Sequence, residues 1–150
     1  MSALETILEY LKREKELLLE AEKLTEEMQT AAAEDLPGIV ARRGRFLDAA
    51  VNLREKEKEI CAVQGGWMQA WDNTASPEKL SADARQIYEA SFAVKGVANR
   101  IRSGSEVGYH RLQEEKQALR EKLDSMDSGR TRTIERYKQM ARGSAVHGKK

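Results

Sequence analysis

Apolar positions recur at helical spacing from the start of the chain. Leu4, Ile7, Leu11, Leu18, Ala21, Met28 and Ala32 follow one line, and Leu8, Leu17 and Leu24 widen it. A stripe that broad exceeds the narrow seam of a two-stranded coiled coil and suits a bundle of three or more helices. Ser2 and Glu5 stand at capping-box spacing, where hydroxyl and carboxylate satisfy free backbone amides reciprocally, so a helix is predicted over 3–33. Glu34 to Gly38 interrupts the pattern: Pro37 removes a donor from a helix interior but fits a first turn, and a turn is predicted at 34–36.

The next line is Ile39, Phe46, Leu53, Ile60 and Trp67, flanked by Val40, Leu47, Ala50, Val51 and Val63, which predicts a second helix over 37–71. Gly65 and Gly66 weaken it and mark a kink or an early end. Ser76, Pro77 and Glu78 combine a hydroxyl cap, a first-turn proline and an acid at the positive end of the helix dipole. From there a third helix is predicted over 77–126, carried by Leu80, Ile87, Val94, Ile101 and Gly108 and by Ala84, Ser91, Ala98, Ser105, Leu112, Leu119 and Met126. At 1.5 Å per residue it would measure about 75 Å, against about 46 and 52 Å for the first two. It must therefore overhang, bend or break, and the small residues Ser103, Gly104, Ser105 and Gly108 are the expected bend point or a place of close helix approach. A short amphipathic helix with Ile134, Tyr137 and Met140 follows Gly129, and Gly143 begins a basic end. The expected fold is all-α, an elongated antiparallel bundle of three long helices with a short C-terminal helix. Residues 1–142 form one domain in this reading and 143–150 a flexible tail. Leu11, Leu18, Phe46, Leu53, Ile87 and Val94 are the predicted core.

Charge alters this picture only at the ends. Residues 1–36 hold ten acids and four bases and residues 127–150 two acids and seven bases, so the net +1 of the 150-residue chain conceals an acidic start and a basic finish. No uncharged stretch approaches the roughly 20 residues of a membrane-spanning helix. Met1 to Lys15 has neither a basic start nor an apolar run, so a cytoplasmic address without membrane insertion is expected.

Candidate chemistry is sparse. Cys61 is the single cysteine, read as a small buried hydrophobe, and His110 and His147 as solvated side chains, since a metal site needs several convergent donors. Acid pairs such as Glu26 and Glu27 are what a solvated helix face carries anyway. Arg42, Arg43 and Arg45 read as a solvated patch, and the basic tail has one interleaved aromatic, Tyr137, too few for nucleic-acid stacking. No enzyme activity, metal, cofactor or nucleic acid is expected. Trp67 and Trp71, one helical turn apart, plug the bundle or anchor a partner. Leu112, Leu119, Leu123 and Met126 lie past the reach of the first two helices, and with Ile134, Tyr137 and Met140 they form the predicted partner-binding surface.

Residues 4–61 carry a resemblance. A Leu-rich acidic helix, a short Asp-containing break and then Ile39, Val40, Arg43, Phe46, Leu47, Ala50, Leu53, Arg54 and Glu55 are similar to the pattern of the FlgN-type flagellar export chaperones, with the FliT type close behind. Tyr137 followed by Gly143 near a basic terminus resembles that family's tyrosine-bearing tail. The resemblance implies a cytoplasmic protein that binds the C-terminal helices of hook-associated subunits, prevents their premature assembly and delivers them for type III export. The alternative is a structural coiled-coil or stalk adaptor forming a permanent homo-oligomer; a homodimer is compatible with either reading.

Overall fold

The computed structural model describes residues 1–128, the side chains of residues 115 and 126–128 excepted. Among them the chain is helical and contains no strand. Four α-helices follow one another: α1 (Ala3–Met28), α2 (Leu36–Ala62), α3 (Trp67–Trp71) and α4 (Ala82–Ser128), with 3₁₀ turns at Ala33–Asp35 and Pro77–Lys79. The chain divides into two compact units, Met1–His110 and Arg111–Lys150, where the sequence predicted one domain to residue 142. The predicted short C-terminal helix and the tail 143–150 lie outside the described residues.

Local sequence accounts for the helix ends. Ser2 Oγ accepts from the Glu5 amide at 3.1 Å and Glu5 Oε1 from the Ser2 amide at 2.9 Å, the predicted capping box. α2 begins with Leu36 and Pro37 and stops at Ala62, earlier than the predicted 71. Gly66, at φ 81°, reverses the chain there, a conformation in which an added Cβ is strained, and α3 starts afresh beyond it. Ser76–Pro77 opens only the 3₁₀ turn; Leu80 is extended, and Ser81 Oγ, accepting from the Ala84 amide at 3.2 Å, caps the long helix instead. α4 then continues unbroken through Gly104 and Gly108.

Side-chain pairings give the helix directions in the first unit. Glu27 meets Arg42, Thr25 meets Arg43 and Glu14 meets Arg54, so α2 runs against α1. Glu22 meets Arg100, Gly104 faces Thr25 and Gly108 faces Met28, so α4 runs with α1 up to that point. The three helices close over Ile7, Leu11, Leu18, Ala21, Ala50, Ile87, Val94, Val97 and Ile101. Of the predicted core, Leu11, Leu18, Leu53, Ile87 and Val94 are buried, whereas Phe46 is only half-buried against the cluster. Burial of such side chains is the main stabilising term, about 1.5 to 3 kcal/mol each.

The small residues of α4 permit close approach. A Cβ added at Gly104 would lie 2.7 Å from Thr25 Cγ2, and Thr25 is pinned, because its hydroxyl donates to the Ala21 carbonyl and accepts from Arg43. At Gly96 an added Cβ meets nothing within 4 Å. Intrinsic propensity favours alanine over glycine in a helix by about 1 kcal/mol at both sites. The clash should win at the first: Gly104→Ala is expected to lower stability by about 1 to 2 kcal/mol and Gly96→Ala to raise it by up to about 1, a difference in sign that urea unfolding of the two variants would check.

Candidate functional site

The predicted partner surface is partly in view. Leu112 is half-buried, while Leu119 and Leu123 are 58% and 52% exposed, all in the second unit and on the same helix. The spacing of seven and then four residues puts them on one face of α4. Met126 is within the helix, but its side chain, like Ile134, Tyr137 and Met140, lies outside the described residues. Near this stripe Gln117 donates to Glu121 at 3.1 Å, one turn on, a pair that supports the helix through its polar groups. Among the described residues the stripe offers apolar area and no reactive group.

The first unit holds something the sequence did not announce. Glu14 of α1 and Glu57 of α2 are buried, 3% and 0% exposed. Arg54 stands between them, its Nη1 3.7 Å from Glu14 Oε1 and 3.7 Å from Glu57 Oε1, near enough for attraction but beyond hydrogen-bond reach. Trp71 of α3 donates its indole N–H to Glu57 Oε1 at 3.0 Å, and the Arg54 guanidinium lies 4.2 Å from the centre of the same ring. Among the described residues Glu14 Oε1, Glu57 Oε2 and Arg54 Nη1 find no hydrogen-bond partner.

Burial pushes the Glu14 carboxyl up to about 9, with the adjacent Glu57 adding to the rise and Arg54 opposing it. Burial raises Glu57 as well, opposed by the neighbouring Glu14 acid, the Trp71 indole N–H and the charge of Arg54. A carboxyl raised in the folded state keeps a proton that the unfolded chain has lost. The stability linked to Glu14 is therefore whole below its ordinary 4.5 and falls as pH rises through about 9. Cys61 is buried nearby, its thiol pushed up to about 12 by burial first and by Glu57 second, so it is inert near neutrality, consistent with a small core residue.

Core slots on α1 fall at Ile7, Leu11, Leu18, Ala21 and Leu24, and position 14 completes the spacing between Leu11 and Leu18. On α2 position 57 does the same between Leu53 and Cys61. The sequence signal for both is an acid standing in an apolar register, although a glutamate on a charged helix is expected at the surface.

Arg43 also departs from expectation. Rather than a solvated patch, it reaches inward, donating to Thr25 Oγ1 at 2.8 Å and to Ser105 Oγ, so one guanidinium joins α1, α2 and α4. Arg42 remains at the surface beside Glu27. Arg100 grips Glu22 with two bonds of 2.6 and 3.1 Å, fastening α4 to α1, and holds that carboxyl below its usual range. Trp71 is buried and Trp67 half-buried against the core. His110 is exposed, and His147 lies outside the described residues. Among the described residues no three His, Cys, Asp or Glu side chains converge as metal ligands, and no helix is long and apolar enough to cross a membrane.

These features define an all-α bundle with an exposed apolar stripe on its last described helix and a buried acid pair inside. Set against family models, curated proteins and solved structures, the chain matches none of them.

Proposed function

We propose that the protein is a cytoplasmic, non-enzymatic chaperone of the flagellar type III export class, which holds the C-terminal helices of a hook-associated subunit until export. The observation that carries this reading is the exposure of Leu119 and Leu123, 58% and 52%, on one face of α4. Large apolar side chains left in water in helical register favour a partner that supplies the missing face of an amphipathic helix. Burying such area yields about 25 cal/mol per Å² before ordering is subtracted, and it requires no reactive group. The resemblance of residues 4–61 supplies the client class. In this proposal Leu112, Met126, Ile134, Tyr137 and Met140 extend the surface, the last three from a short C-terminal helix that completes an elongated antiparallel bundle.

Replacing both Leu119 and Leu123 with glutamate should abolish co-purification with the C-terminal helical region of a hook-associated subunit while far-ultraviolet circular dichroism stays unchanged. The introduced charges remain hydrated in the free protein and must be desolvated in the complex. Loss of helicity would assign the leucines to the protein's own core, and retained capture would move the site elsewhere. Light scattering separates the structural alternative, which requires a dimer insensitive to dilution.

A further inference from the structure

We propose that Glu14 and Glu57 hold one proton between them in the folded chain, and that this proton pins Trp71 and its short helix α3 against α2. α1 contributes Glu14; α2 contributes Glu57, Arg54 and the thiol of Cys61; α3 contributes only the Trp71 N–H. From α4, the Ser91 hydroxyl donates to the Trp71 carbonyl and Lys95 to the Asp72 carbonyl, so both are held by main-chain oxygens, and the Asp72 carboxylate binds the Thr74 amide and hydroxyl. Two buried carboxyls thus face one guanidinium. With both ionised the site would carry a net negative charge out of reach of water; with one proton it is neutral.

The proton also meets a hydrogen-bonding need of the two carboxyls. Among the described residues Glu14 Oε1 and Glu57 Oε2 lack a donor, and a protonated carboxyl in the pair supplies one. Glu57 is the member bound to Trp71, and Arg54 lies over the same ring, so a second negative charge would disturb the contacts that seat α3. Gly66 at φ 81° precedes that segment and Asn73 at φ 62° follows it, and α4 holds its far end through Ser91, Lys95 and the Tyr88 carbonyl, which accepts from Asn73 Nδ2. Releasing it would admit water to the acids without separating the long helices. The burial that raises Glu14 to about 9 puts such a release in the mildly alkaline range. The inference is independent of the client reading.

Two measurements on the full chain test it. Carbon-13 resonances of the glutamate carboxyls, followed from about pH 5 to 10.5, should show one group titrating several pH units above the others. In a Trp67→Phe background, where Trp71 is the sole tryptophan, its emission should shift to the red over that same range. Adding Glu14→Gln, which mimics the protonated acid and cannot ionise, should remove the shift. Complete titration of every glutamate below about pH 6 would overturn the shared proton. A red shift persisting in Glu14→Gln, or a late-titrating carboxyl with no accompanying change in Trp71, would overturn the pin. Should Glu14→Gln fail to fold, coincidence or separation of the two titrations in the Glu14-bearing protein still decides the matter.

Discussion

Arg54→Met is expected to lower the free energy of unfolding by about 3 to 5 kcal/mol near neutral pH. Arg54 is the cation shared by Glu14 and Glu57, whose side chains are 4% and 0% exposed, and methionine fills much of its volume while removing the charge. Two buried acids would then face each other without a counter-ion. The loss should shrink toward pH 5, because protonating both acids relieves their repulsion, and grow on the alkaline side, because the folded state then keeps protons that the unfolded state has released. Part of the deficit comes from the lost stacking of the guanidinium on Trp71, a contribution that should stay constant between about pH 5 and neutrality. Urea unfolding at several pH values would separate the two parts. Equal stability of variant and parent across the range would mean that Glu14 and Glu57 do not depend on Arg54.

Leu53→Ala should be nearly as severe, about 2 to 5 kcal/mol, through lost burial and the cavity left behind. Leu53 is 9% exposed on the inner face of α2, whereas Val51, two residues away, is 59% exposed. Val51→Ala should therefore change stability by no more than about 0.5 kcal/mol. The pair tests the orientation of α2 directly: sequence spacing gave both residues a place in or beside the apolar line, and only Leu53 reaches the interior. Thermal denaturation of the two variants would settle the orientation, and a comparable fall in Tm for both would require α2 to be rotated.

The helical class, the capping box at Ser2 and Glu5, the break before Pro37, the inward faces of α1 and α4 and the burial of Cys61 were all legible along the chain. Each depends on neighbours within a turn or two, where spacing, caps and glycine or proline act without distant partners. Helix ends were less legible. The break after Ala62 and the new cap at Ser81 arise from competition between nearby signals, Gly65–Gly66 against Trp67–Trp71 and Ser76–Pro77 against Ser81, and local chemistry alone does not rank them. The stripe at Leu112, Leu119 and Leu123 could be read as apolar and in register, but exposure is a property of what covers a side chain, and the leucines themselves carry no information about that.

Fold class and the periodic apolar faces follow from the order of residues, because helix formation and amphipathic burial are short-range effects. The roles of the polar residues come from the packing. A glutamate looks the same in sequence at Glu9, exposed, and at Glu14, buried; the difference is that α2 brings Glu57 and Arg54 to the second and nothing comparable to the first. Arg43 likewise joins Thr25 to Ser105 only because α2 runs against α1 while α4 runs with it, bringing together residues 18 and 62 positions away in the chain. Electrostatics inside a protein depends on distance and on the exclusion of water, and both are set when the helices meet.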